Sequence, residues 1–232
     1  MAAETLTIST EDGAFSAYVA RPTAAKAPAI VVIQEIFGVN AVMRGVCDDL
    51  ARNGYLAVCP DLFWRIEPGI DITDQSDAEW KKAFELYNAF DVDKGVADIA
   101  ATIAAVRVDA GCTGKVGAVG FCLGGLLAYL TATRTDSDAS VAYYGVGIDK
   151  YTAKAAKLSA PLLMHIAEED QFVPKPAQEQ ILTALKNHPH IEIHTYPGRD
   201  HAFARKGGEH YDAADAATAE GRTLAFFKQN LG

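Results

Sequence analysis

Four glycines crowd one cysteine in the stretch VGAVGFCLGG, residues 116–125. Gly120-Phe121-Cys122-Leu123-Gly124 reads G-x-C-x-G, the thiol counterpart of a G-x-S-x-G nucleophile turn between a strand and a helix. A nucleophile raised on such a turn sits in strained backbone, and a side chain two residues to either side would meet the neighbouring strand or helix, which accounts for the glycines. The sulfur would also lie at a helix N-terminus, whose unpaired N–H groups favour a thiolate and can stabilise an oxyanion. The other reading of Cys122 is a buried structural thiol, since free cysteine is among the most buried residue types.

A cysteine nucleophile needs an acid and a base, and in α/β-hydrolases they follow it in that chain order on loops after later strands. The strand-like run PLLMHIA ends in Glu168-Glu169-Asp170, and IEIHTYP ends in Gly198-Arg199-Asp200-His201. Asp170 is the preferred acid because Asp170-Gln171-Phe172-Val173-Pro174 leads directly into a helix; the bland alternative is a solvated acidic loop. His201 is the preferred base. His165 and His194 fall inside strands and are expected to pack there, while His188, His190 and His210 look like surface loop residues.

The elements that must hold these groups alternate along the whole chain. LTIST and FSAYVARP read as an opening antiparallel pair, PAIVVIQE as a central strand with both faces covered, and NAVMRGVCDDLARNG as a helix with Asn40 as N-cap and Gly54 at its C-terminal end. YLAVCPDL is the next strand. DITDQSDAEWKKAFELYNAF is an aromatic excursion carrying one helix, and DVDKGVADIAATIAAVR has Val92, Val96, Ile99, Ile103 and Val106 at helical spacing. KVGAVGF, ASVAYYG, PLLMHIA and IEIHTYP continue as strands, separated by the helical stretches LGGLLAYLTATRT, DKYTAKAAKL and KPAQEQILTALKN. An amphipathic helix, AADAATAEGRTLAFFKQNL, closes the chain. With no repeat or linker in this order, residues 1–232 are expected to form one α/β domain with a mostly parallel, doubly wound sheet flanked by helices.

Half of the 232 residues are hydrophobic, ample for a two-sided core, and 22% are charged. A net charge of −9 without a basic run argues against nucleic acid or an anionic membrane as partner. The start MAAETLTIST has no basic and apolar leader pattern, and no stretch is apolar enough to span a bilayer, so a cytoplasmic protein is expected. Cys47, Cys59, Cys112 and Cys122 form no C-x-x-C pair, which makes disulfide and metal readings poor and leaves free thiols. No metal or cofactor is expected, and a monomer is the default.

Taken together, the chain resembles the dienelactone hydrolases, the carboxymethylenebutenolidase family of cysteine-dependent α/β-hydrolases. The resemblance covers nearly all of it and rests on QEIFGVN (34–40), PDLFWR (60–65), AFDVDKGVADI (89–99), KVGAVGFCLGG (115–125), AYYGVG (142–147), DQFVP (170–174) and DHAFAR (200–205). It implies a triad of Cys122, Asp170 and His201, with Glu35 holding the resting thiol and the N–H groups of Ile36 and Leu123 forming an oxyanion hole. It assigns Arg205 to a substrate carboxylate and places Phe37, Tyr144 and Tyr87 around the substrate. On residues alone, Glu35 could instead be a salt-bridged structural acid and Arg205 an ordinary solvated arginine. The family's second carboxylate-binding arginine aligns with Trp80, followed by Lys81 and Lys82; the serine after the catalytic histidine is Ala202; and two pocket aromatics become Phe84 and Tyr87. These departures point to a related lactone or ester, carrying a carboxylate, rather than dienelactone itself.

Two other classes compete. The glycine-rich turn suggests a dinucleotide-binding oxidoreductase, but it lacks G-x-G-x-x-G spacing and lies mid-chain rather than after the first strand. A non-hydrolytic ligand-binding protein or thiol redox sensor could keep the fold and the cysteine; an apparent acid, base and oxyanion framework counts against it.

Overall fold

The computed structural model describes residues 4–232; the first three residues of the start examined for a leader lie outside them. The chain forms two compact units, one ending at Ala118 and one beginning at Val119.

In the first unit, β1 (Glu4–Thr10) and β2 (Gly13–Ala20) make the antiparallel pair read from the sequence, in register from Glu4 opposite Val19 to Thr10 opposite Gly13. β2 then pairs antiparallel with β4 (Leu56–Pro60), and β4 pairs parallel with β3 (Ala27–Ile33). Exposure alternates along β1, whereas every residue of β4 is buried, as expected of a strand covered on both faces. α1 (Ala41–Arg52) packs on β4, β2 and β3. Its N-cap is Asn40, whose Oδ1 accepts the Met43 N–H at 3.1 Å.

The excursion carries α2 (Asp77–Ala89), opened by Ser76 as N-cap, whose Oγ accepts from Glu79 N at 3.3 Å and donates to the Glu79 carboxylate at 2.7 Å. α3 (Val92–Arg107) starts at the Asp91 cap and buries Val96, Ile99, Ile103 and Val106 on the stripe read from the sequence, while Val92 is only partly covered.

β5 (Cys112–Phe121) carries the boundary between the units. In the second unit α4 (Leu123–Arg134) follows, then β6 (Ala139–Tyr143), a 3₁₀ helix (Ile148–Lys157), β7 (Leu162–Ala167), α5 (Lys175–Leu185), β8 (Ile191–Tyr196) and α6 (Ala213–Leu231). β6, β7 and β8 are parallel neighbours, with β7 and β8 in register as far as Ala167 opposite Tyr196. β6 and β7 are buried throughout, but β8 ends this row and stays half-covered. That corrects one expectation: His194 is not packed away but part-exposed, its Nε2 on Glu192 at 2.6 Å. The stretch expected to be helical over 149–158 takes the tighter 3₁₀ form over Ile148–Lys157. α4 packs on β6 and the 3₁₀ helix, and α6 on β6 and β7. The chain is thus an α/β fold whose core strands are mostly parallel, and no described helix is long and apolar enough to cross a membrane.

Gly45 in α1 and Gly221 in α6 have open space where a Cβ would go and helical backbone that alanine adopts without strain. Gly45→Ala and Gly221→Ala should therefore each raise stability by about 0.5–1 kcal/mol, because alanine loses less backbone freedom in a helix. Urea unfolding midpoints check this; an unchanged or lower midpoint in both would contradict it.

Candidate active site

Cys122 is the single residue between the last residue of β5 and the first of α4. Its backbone, φ 57° and ψ −116°, lies where a side chain is strained, at a cost of order 1–3 kcal/mol. Surrounding hydrogen bonds impose the conformation. The Cys122 N–H donates to the Tyr143 carbonyl at 3.2 Å, and the Cys122 carbonyl accepts from Gly125 N at 3.0 Å and Val146 N at 3.4 Å. The glycines are steric necessities: a Cβ on Gly120 would lie 1.9 Å from the Gly124 carbonyl oxygen, and one on Gly125 2.3 Å from that of Tyr143. The turn is therefore packed backbone against backbone, with Cys122 buried at 7% exposure and Leu123 N–H among the unpaired donors that open α4.

Asp170 stands in the loop between β7 and α5. Its Oδ1 accepts the N–H groups of Phe172 at 2.8 Å and Val173 at 3.1 Å, and its Oδ2 meets His201 Nδ1 at 2.9 Å. Both side chains are buried, at 1% and 3% exposure, so the solvated-loop reading of Asp170 falls. An ionised carboxylate only accepts, which fixes the proton on Nδ1 and turns Nε2 toward chemistry. The imidazole is flanked by Tyr144 at 5.1 Å and Phe172 at 4.9 Å between ring centroids, each steeply inclined to it. Phe172, two residues beyond the acid, is a neighbour that sequence reasoning missed; a hydrophobic residue in a polar loop was the available signal.

Burial works against a charged His201, but the negative charge of a Cys122 thiolate and then the hydrogen bond to Asp170 outweigh it, pushing its pKa up to about 10. His201 Nε2 is buried without a formed hydrogen bond. The Cys122 sulfur is an electrostatic neighbour of the imidazole. Thiol, imidazole and carboxylate thus converge in the second unit from three distant parts of the chain.

Behind the turn, His165 is buried and neutral, held well below its usual pKa first by burial and then by His194 and Arg222. Its Nδ1 meets the Tyr196 hydroxyl at 2.8 Å and its Nε2 the Thr223 hydroxyl at 3.0 Å, which in turn meets the Tyr143 hydroxyl at 2.6 Å. His165 is packed as expected, but its partner on α6 had no sequence signal.

Arg205 is buried, at 7% exposure, so it is not a solvated arginine. Glu35, Ile36 and Phe37, in the first unit, are buried in the segment after β3. Gln34 steadies that segment, its Oε1 accepting the Leu62 N–H at 3.0 Å. Phe37 meets Trp80 edge-on at 5.1 Å, and Trp80 stacks on Phe84 at 5.6 Å while its Nε1 donates to the Asp74 carbonyl at 3.0 Å. On the same helix Lys81 is exposed, Tyr87 is half-buried, and Lys82 pairs with Glu67.

Residues 15–231 match the dienelactone hydrolase family. A carboxymethylenebutenolidase of Pseudomonas putida is 42% identical over 97% of this chain and 96% of its own, and a relative from Azospirillum brasilense is 53% identical over 96% of each. A Klebsiella pneumoniae crystal structure assigned to the dienelactone hydrolases superposes with a TM-score of 0.84 at 30% identity, covering 98% of both chains. The match runs through the cysteine turn, the acid loop and the histidine loop, and on it the chain belongs to the dienelactone hydrolase family.

Proposed function

We propose that this protein is a cysteine-dependent hydrolase that opens an enol-lactone or an activated ester bearing a carboxylate, by way of a thioester acyl-enzyme. The observation that carries the reading is the buried Asp170–His201 pair beside a cysteine held in strained backbone at a helix N-terminus. The raised pKa of His201 fits an imidazolium that faces the sulfur once the nucleophile is formed.

In this mechanism the Cys122 sulfur attacks the carbonyl carbon, and the carbonyl electrons move to oxygen. The Leu123 N–H stabilises that oxyanion. As the tetrahedral intermediate collapses, the C–O bond of the ester or lactone breaks and the leaving oxygen takes the proton from His201 Nε2. Neutral His201, oriented by Asp170, then removes a proton from water, which attacks the thioester and returns Cys122. Enolates and phenolates leave readily from such an intermediate; amide nitrogen does not. Arg205 receives the substrate carboxylate through its planar guanidinium. Trp80 in place of an arginine and Ala202 in place of a serine favour a substrate related to dienelactone but with fewer anion contacts. Carboxymethylenebutenolidase activity in the relatives supports the same class of substrate.

Cys122→Ala should abolish hydrolysis of lactones and aryl esters, by at least about 10³-fold, because the nucleophile cannot be replaced by binding alone. Mass spectrometry of the wild type quenched during aryl ester turnover should show an acyl adduct on Cys122. Wild-type rates in Cys122→Ala, or oxidation of Cys122 with no turnover at all, would refute the reading.

His201 also makes a pH prediction. Its folded pKa of about 10 exceeds the unfolded value of roughly 6.5, so its contribution to stability is complete below about pH 6.5 and is lost as pH rises through about 10. Cys122→Ala removes the leading upward influence. The NMR titration midpoint of the His201 ring should then fall, and the alkaline loss of stability should shrink; an unchanged midpoint would show that the sulfur does not face the imidazole.

A further inference from the structure

The catalytic reading leaves one mechanical question open. Asp170 and His201 stand on different loops, and the ladder that aligns their strands ends at Ala167 opposite Tyr196, before either loop reaches its functional residue. Beyond it, two backbone bonds continue the alignment, Glu168 N to the Tyr196 carbonyl at 3.1 Å and Glu169 N to the Arg199 carbonyl at 2.8 Å. There backbone pairing gives way to one side chain. Asp200 Oδ1 accepts the N–H of Gln171, the residue after the acid, at 3.0 Å, and the N–H of His201 itself at 2.6 Å. Its Oδ2 receives the Gln171 side-chain amide at 3.4 Å, and His210 Nε2 lies 3.7 Å away.

A single carboxylate oxygen thus collects one donor from beside each member of the buried pair. A carboxylate suits this place because it accepts two N–H groups at once, and such charge-assisted bonds are about twice as strong as neutral ones. Burial opposes the charge of Asp200, yet the N–H groups of Gln171 and His201 more than compensate and hold its pKa below the usual carboxylate range. The next residue, Ala202, has φ 61°, so the histidine loop is strained immediately after the junction and needs an outside contact to keep its course.

We propose that Asp200 is a positioning residue for the hydrolytic reaction, its carboxylate tying the acid loop to the histidine loop so that His201 Nδ1 stays on Asp170. The proposal rests on the reading of Asp170 and His201 as the catalytic pair. Asp200 touches neither the substrate nor the reacting atoms; it acts through the backbone of the residues that do.

The test compares wild type, Asp200→Ala and Asp200→Asn by the low-field proton resonance of His201 Nδ1–H, by aryl ester kinetics and by thermal unfolding. Asp200→Ala should lose that resonance and about 10²-fold in kcat with KM little changed while remaining folded, the scale expected when a catalytic group is misplaced by about 1 Å. Asp200→Asn keeps an oxygen acceptor and should recover most of the resonance and the rate. A wild-type resonance and kcat in Asp200→Ala, or an Asp200→Asn no better than Asp200→Ala, would overturn the proposal. Should Asp200→Ala fail to fold, amide hydrogen exchange of the wild type decides. Slow exchange at both Gln171 and His201 supports the tie, and exchange at both as fast as in open loops refutes it. Absence of any ester turnover by the wild type would count against the hydrolase reading alone, since the resonance and the exchange report the tie without substrate.

Discussion

The hydrogen bond between Asp170 and His201 is the constraint around which the second unit is arranged. Two ionisable groups that far from water are tolerable only when each finds complementary partners. Asp170 finds them in two backbone N–H groups of its own loop and in the imidazole, so its oxygens are engaged before any substrate arrives. The bond also selects the histidine tautomer, and through it the atom that exchanges protons. Loop length, the turn into α5, and the aromatic walls of Tyr144 and Phe172 all serve to keep that one distance short.

Strain is concentrated where chemistry is proposed. Cys122, Tyr144 and Ala202 are the non-glycine residues with positive φ among those described, and each belongs to or adjoins the thiol–imidazole pair. Such backbone persists only where neighbours over-determine it. At Cys122 the bracing comes from the end of β6, whose Tyr143 carbonyl receives the cysteine N–H. That strand end is itself secured by the buried Tyr143–Thr223–His165–Tyr196 chain, which reaches from α6 into β7 and β8. Because His165 stays neutral, this support does not compete electrostatically with His201. A polar network fully satisfied in the interior adds rigidity that apolar packing alone would not supply.

In the first unit, Phe37, Trp80 and Phe84 form an aromatic cluster. Phe37 meets Trp80 edge-on, Trp80 stacks on Phe84, and the indole N–H of Trp80 is already engaged by the Asp74 carbonyl. An indole tied in this way offers area and shape but no charge. That is the physical basis for the proposal of a substrate related to dienelactone.

Much of this was legible in the amino-acid order because the signals are local. Hydrophobic period distinguishes a buried parallel strand from a helix stripe, and Asn40 marks a helix start through its own side chain. Gly120 and Gly125 announce a turn in which backbone meets backbone, and the order of cysteine, aspartate and histidine follows from the strands that carry them. What sequence order does not contain is the environment of a side chain made by residues far away. His194 looked packed, yet β8 ends its row and leaves the ring half-open; Arg205 allowed a solvated reading, yet it is buried; Asp200 drew no reading of its own, yet it joins two loops. The chain by itself determined which residues could react and in what order they occur. Burial, charge pairing and the tying of one loop to another were decided only by tertiary structure, because those energies depend on distances between segments that the covalent sequence leaves free.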